Sequence, residues 1–148
     1  MQALSIIILV LLAGAMLPMQ AMLNSRLGKA LGSAEYTSFV SFLIGAMALL
    51  LYLLIVKARL GTLTQTTTLP WYVWMGGVLG AFYVAVVIIL APRLGTAFTF
   101  GLVIAGQMLI SVSMDHVGFM GLEVKPINYL RILGLLVLGA GVFLIRKA

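Results

Sequence analysis

Residues 4–23 read LSIIILVLLAGAMLPMQAML, a run of 20 residues without a charged side chain. At about 1.5 Å per residue, a helix of this length matches the roughly 30 Å hydrocarbon core of a bilayer. Four further stretches have a similar length and character: residues 36–56, 71–90, 96–115 and 127–145. Because a backbone in lipid must satisfy its own hydrogen bonds, all five stretches predict helices. The predicted fold is therefore a single all-α integral membrane domain, residues 1–148, with five transmembrane helices.

The composition excludes a soluble fold. Hydrophobic residues make up 64% of the chain and charged residues only 8%, whereas about a quarter of the residues of a soluble domain are charged. A water-soluble chain of this size has too little interior to bury so much apolar surface. The first stretch has no Lys or Arg before it and is longer than a signal-peptide core, so we expect it to remain as an uncleaved span.

The inventory of reactive side chains is small. The chain has one His, three acidic residues and no cysteine, which leaves no room for a catalytic triad, a disulfide framework or a cluster of metal ligands. We therefore predict no enzyme, no cofactor and no metal site. The Lys and Arg residues are scattered rather than clustered, so no nucleic-acid partner is expected either.

Positive charge is divided almost evenly between the two sides of the membrane. With five spans and an exposed Thr-rich loop at residues 57–70, the N-terminal side carries Lys57, Arg59, Lys125 and Arg131. The opposite side carries Arg26, Lys29, Arg93, Arg146 and Lys147. The positive-inside rule slightly favours a cytoplasmic C-terminus, but a difference of one charge does not fix the orientation. Two topologies stay open: one weakly preferred orientation, or insertion in both orientations to give an antiparallel homodimer.

Polar side chains recur at helical spacing on two spans. Gln20 and Asn24 lie four residues apart, just after Pro18, which weakens the local hydrogen-bond ladder. On the fourth span, Gln107, Ser111 and Asp115 form a stripe with the same spacing. An unpaired amide in lipid is costly, so these faces are candidates for lining a substrate cavity. Two alternatives remain: the first pair reaches the membrane interface, and the stripe makes hydrogen bonds between helices.

Other residues suggest coupling and packing. Asp115 and His116 are adjacent at the end of the fourth span, where either group can titrate, so they are candidates for coupling or gating. An ordinary pair at a helix end is the alternative. Gly76, Gly77 and Gly80 predict close helix packing, and Tyr83, one turn further on, either lines a cavity or packs. Because no ionic side chain lies deep within a span, a neutral, zwitterionic or weakly polar substrate is favoured.

Several short motifs occur in a definite order along the chain. They are Pro18-x-Gln20-x-x-x-Asn24, Gly76-Gly77-x-x-Gly80-Ala81-x-Tyr83, Pro92-x-Leu94-Gly95, Gly106-Gln107, Asp115-His116-x-Gly118 and Arg131-x-x-Gly134. Each motif alone is weakly specific, but their order across five spans is more so. In this respect nearly the whole chain resembles the YdcZ-like group of the drug/metabolite transporter (DMT) superfamily.

The resemblance implies a multi-pass exporter of the bacterial inner (cytoplasmic) membrane. Larger members of the superfamily hold ten spans as two inverted halves, so this chain resembles one half. We therefore expect a small-molecule transporter that works by alternating access as a dimer, either an antiparallel homodimer or a pair with a sister chain. Its path would be lined by Gln20, Asn24, Tyr83, Gln107 and Ser111. Two other functions remain open: a passive channel or facilitator, and a non-transporting subunit bound to a larger partner.

The even charge count generates a prediction about topology. Because the chain has no native cysteine, a single cysteine can be placed at either terminus, as Gln2→Cys or as Ala148→Cys. If the chain inserts in both orientations, a membrane-impermeant maleimide will label each variant from both sides of the membrane. Labelling of each terminus from one side only would contradict dual insertion.

Overall fold

The computed structural model describes residues 2–58 and 69–147, and it contains no β-strand in those ranges. Five helices there are long and apolar enough to cross a membrane. In chain order they are α1 (Gln2–Leu31), α2 (Ala34–Ile55), α3 (Met75–Leu94), α4 (Thr96–Val117) and α5 (Tyr129–Lys147). The predicted all-α membrane fold is therefore confirmed. Most of the loop predicted at residues 57–70, including Arg59, lies outside the described residues.

The chain divides into two units, Met1–Ile89 and Leu90–Ala148. In the first unit α1 packs against α2, and in the second unit α4 packs against α5. Both pairs are consecutive along the chain, and consecutive elements are usually neighbours in space. In the first unit, a Cβ on Gly28 of α1 would lie 3.3 Å from the Thr37 hydroxyl of α2. This glycine therefore allows the two helices to approach closely.

Helix α1 is longer than the first predicted span. It continues through Pro18 and Asn24 to Leu31, because residues 25–31 are mostly compatible with a helix. It ends at Gly32, whose φ of +73° suits a residue without a side chain. Helix α2 then starts at Ser33, whose hydroxyl accepts a hydrogen bond from the Tyr36 N–H at 3.1 Å. Asn24 consequently lies about two turns inside α1 rather than at its end.

The other boundaries also follow from capping residues. Helix α3 continues through Pro92 to Leu94, so the gap of residues 91–95 between the third and fourth predicted spans is reduced to Gly95, which has a φ of +88°. Helix α4 ends at Gly118 in the left-handed conformation. Helix α5 starts two residues later than predicted, because the Asn128 side chain accepts a hydrogen bond from the Arg131 N–H at 2.9 Å.

Large apolar side chains are exposed along all five helices. The buried hydrophobic residues of the described chain are few, and most are of medium size: Ala21, Val84, Val87, Ile88, Ala91, Phe100 and Val142. In water such a surface would drive aggregation. In a bilayer, lipid tails or other apolar helices cover it without cost, which agrees with the spanning length of the helices.

The α4–α5 pair has one close contact that depends on a glycine. Gly101 is buried on α4, and a Cβ there would lie 3.2 and 3.3 Å from the two methyl groups of Val142 on α5. These distances are shorter than ordinary van der Waals contact, so Val142 would have to shift to accept even a methyl group here, and a larger side chain would need a larger shift. Gly106, further along α4, has no neighbouring atom within 4 Å of such a Cβ.

We expect Gly101→Leu to destabilise the protein by about 1–3 kcal/mol, because overpacking of a tight contact forces side chains and backbone to shift. Gly106→Leu is the matched control, since it makes the same change on the same helix in open space. Thermal unfolding in detergent, followed by circular dichroism, measures the difference. Equal losses in the two variants would show that the Gly101–Val142 contact does not limit stability.

Candidate functional site

A cavity of about 390 Å³ lies between α1 and α2 in the first unit. Its polar lining residues are Gln20 and Asn24 on α1 and Ser41 on α2. Methionine and leucine side chains of α1, together with Ile44 of α2, supply the rest of the wall. The structure therefore brings Gln20 and Asn24 together on one cavity, and it adds a hydroxyl that the sequence analysis did not single out.

Asn24 is the unusual residue of this cavity. Its side chain is only 7% exposed, and its Nδ2 atom has no hydrogen-bond partner among the described residues. A buried amide without a partner costs about 1–3 kcal/mol by protein mutational data, so buried amides in folded proteins are nearly always paired. Other buried polar side chains of this unit are satisfied: the hydroxyls of Thr37 and Ser38 donate to backbone carbonyls one turn earlier at 2.7 and 2.8 Å.

A second cavity, of about 500 Å³, lies between α4 and α5 in the second unit. Ser111 and Asp115 line it from α4, and Arg131 lines it from α5. Gln107 and His116 are not among its lining residues and are exposed on the described chain. The polar stripe predicted on α4 is therefore divided, with Ser111 and Asp115 facing this cavity and Gln107 lying beside it.

The α4–α5 connection is held by polar contacts at one end of this cavity. The guanidinium Nη2 of Arg131 lies 3.3 Å from the Oδ2 of Asp115, and its Nη1 donates to the Lys125 carbonyl at 3.0 Å. The Lys125 N–H donates to the Asp115 carbonyl at 2.8 Å. The Nδ1 of His116 accepts a hydrogen bond from the Ile127 N–H at 3.2 Å.

Arg131 lines the cavity although no site role was predicted for it from the sequence, where it appears only in the charge count and in the motif Arg131-x-x-Gly134. The signal that identifies it is its position. Asp115 precedes the end of α4 by two residues, and Arg131 is the third residue of α5. Consecutive antiparallel helices bring such positions to the same side of the membrane, so opposite charges there are placed to pair.

The remaining predicted residues lie elsewhere. Tyr83 of α3 is partly buried and lines neither of these two cavities. A Cβ on Gly80 would lie 3.4 Å from the ring of Phe42 on α2, whereas Gly76 and Gly77 have no neighbouring atom within 4 Å. A Cβ on Gly80 would thus make an ordinary contact with Phe42. The packing role of Gly76, Gly77 and Gly80 and the role of Tyr83 stay predictions.

Five long apolar helices with polar residues in the cavities between them define a multi-pass α-helical membrane protein. A family described as "Putative inner membrane exporter, YdcZ" matches residues 5–144, so the chain belongs to this family. The resemblance to the YdcZ-like group that was drawn from the motifs is therefore confirmed. No curated protein and no solved structure matches the chain significantly.

The unpaired amide generates a prediction about stability. Asn24→Leu removes a buried group that has no partner, so we expect stability in detergent to be unchanged or raised by up to about 1–3 kcal/mol. Thr37→Val is the matched control, because it removes a buried hydroxyl that donates a hydrogen bond at 2.7 Å, and it should destabilise by about 1 kcal/mol. Thermal unfolding compares the two. A clear loss of stability in Asn24→Leu would mean that the amide is satisfied within the protein.

Proposed function

We propose that the protein is a small-molecule exporter that works by alternating access as a dimer of five-helix protomers, inserted antiparallel to each other. Membership of an inner-membrane exporter family supports transport. The single observation that carries the substrate site is the buried Asn24 amide, which has no partner among the described residues and lines a cavity with Gln20 and Ser41.

A transport site needs polar groups that are satisfied only when the substrate is bound. An amide that is already paired within the protein would have to break that bond, whereas the Asn24 amide can donate to a substrate at little cost. Gln20 and Ser41 add a second amide and a hydroxyl in the same cavity. None of the lining groups carries a charge, which supports a neutral, zwitterionic or weakly polar substrate.

The exposure of Gln107 supports the dimer. This residue is the twelfth of the 22 in α4, so it lies near the middle of the membrane, and it is exposed on the described chain. An amide that faces hydrocarbon loses its hydrogen bonds with water, at a cost of several kcal/mol. A second chain covering this face would satisfy the amide and complete the wall of the path, together with Ser111 and Tyr83. Inverted halves around a midplane site are a common arrangement in transporters.

In the same proposal, Asp115 and His116 lie near an opening of the path. The contacts of the α4–α5 connection tie both residues to backbone and side-chain groups. If the contacts of either residue break, the connection is free to move. In this way a residue outside the substrate cavity can act on gating. An even distribution of positive charge is compatible with a chain that inserts in both orientations.

The test is transport by the purified protein in liposomes. The ligand is first chosen by thermal shift from a set of neutral and zwitterionic small molecules, because binding to the native state raises its apparent stability. We expect saturable uptake that shows counterflow, and we expect Gln107→Leu to lower the initial rate about tenfold through loss of one buried hydrogen bond to a polar group. Leu109→Met, two positions further on and outside both cavities, is the control and should transport normally.

Three outcomes would contradict the proposal in different ways. If Gln107→Leu folds and transports as well as the control, the assignment of Gln107 to the path is wrong. Flux that neither saturates nor shows counterflow would indicate a passive channel or facilitator of the same fold. If no member of a broad ligand set is transported by the purified protein, a non-transporting subunit of a larger assembly becomes the better explanation.

A further inference from the structure

The α4–α5 cavity has two chemically different ends. One end carries the Asp115–Arg131 ion pair, with the Ser111 hydroxyl one turn away. The other lining residues are apolar: Ile104, Met108, Val112, Leu135 and Leu138. Gly134 of α5 also lines the cavity. Asp115 and Ile104 are eleven residues apart on one helix, which corresponds to roughly 16 Å. This is about half of the roughly 30 Å hydrocarbon core, and therefore about one leaflet.

The charged end lies where the headgroups of the bilayer are. Asp115 and Arg131 are each close to the end of a spanning helix, and their side chains are 38% and 27% exposed. Their contact joins one guanidinium nitrogen to one carboxylate oxygen, so both groups keep further hydrogen-bonding capacity. Nearby, Lys125 lies 3.9 Å from Glu123. These two pairs bring together two positive and two negative side chains, so their charges balance.

We propose that this groove binds a zwitterionic aminophospholipid of the bilayer. Arg131 would bind the phosphate, Asp115 would accept hydrogen bonds from the ammonium group, and one acyl chain would lie along the apolar wall. Charge complementarity selects this occupant. An anionic lipid would place its phosphate beside Asp115 without offering a cation, and a choline headgroup has no N–H to donate to the carboxylate. Sites for anionic lipids are instead clusters of basic residues.

Gly134 contributes the space that an acyl chain needs. It lines the groove on α5, and a Cβ at this position would meet no atom within 4 Å. A larger side chain would therefore fill the groove without a nearby clash within the described chain. Gly139, on the same helix, has equally open surroundings but does not line the groove. These two glycines form a matched pair for a steric test.

The inference does not depend on the proposed transport function, since a lipid site can exist in a protein that transports nothing. Ser111 belongs both to this groove and to the proposed path, so it is left out of the test. Asp115, which the proposed function places near an opening of the path, is tested only by its effect on lipid binding. Binding is measured directly, without flux, and a failure of lipid binding would leave the transport proposal standing.

The experiment uses the full chain, purified in detergent and stripped of lipid, with three lipids of identical acyl chains and phosphatidylethanolamine, phosphatidylcholine or phosphatidylglycerol headgroups. Native mass spectrometry counts bound lipid, and thermal shift measures its stabilising effect. We expect phosphatidylethanolamine to bind most tightly.

Asp115→Asn and Arg131→Gln should each weaken phosphatidylethanolamine binding about tenfold or more, because each removes a charge-assisted contact. Arg93→Gln, at an exposed arginine on α3, should leave binding unchanged.

The steric pair gives an independent result. Gly134→Leu should abolish phosphatidylethanolamine binding, whereas Gly139→Leu should bind like the original protein; circular dichroism checks that both are folded. Equal binding of the three lipids would overturn the proposal, and so would tightest binding of the anionic lipid. Unchanged binding in Gly134→Leu would place any bound lipid outside this groove and would overturn it as well. If Gly134→Leu does not fold, the two charge variants decide.

Discussion

The absence of water from the bilayer core governs both the secondary structure of this protein and the pairing of its polar side chains. It requires every backbone amide and carbonyl to pair within its own segment, so the spanning parts of the chain are helices. It also makes each polar side chain in a span informative, since such a group must find a partner in protein or remain at a cost. Thr37, Ser38 and Thr99 meet this requirement locally, through hydrogen bonds to backbone carbonyls one turn earlier.

Asn24 and Gln107 do not meet the requirement in the same way. Asn24 is buried and its amide nitrogen has no partner among the described residues, while Gln107 is exposed in the middle of α4. The two exceptions call for different partners. A buried amide on a cavity suits a ligand that comes and goes, and an exposed amide at mid-membrane suits a second protein surface. Both explanations are parts of one proposal, in which a dimer of half-transporters encloses a polar path.

The helices could be predicted from the sequence more completely than the site. The apolar length of each span was enough to predict the five helices, but not their ends, because Ser33, Asn128 and Gly118 act through local hydrogen bonds and backbone conformation. The four-residue spacing predicted that Gln20 and Asn24 share one helix face, and that Ser111 and Asp115 share another. It did not identify Arg131 or Ser41, since their roles depend on which residues of the neighbouring helix face them.

The membrane location, the number of spans, the family and the absence of ionic side chains deep within a span could all be predicted, because these follow from composition and from order along the chain. The pairing of the polar groups could not be predicted in this way. Whether a side chain is satisfied depends on atoms brought within about 3 Å by helix packing, and one residue of shift along a helix turns a side chain by about 100°. The unpaired amide of Asn24 and the Asp115–Arg131 ion pair are therefore properties of the packed helices.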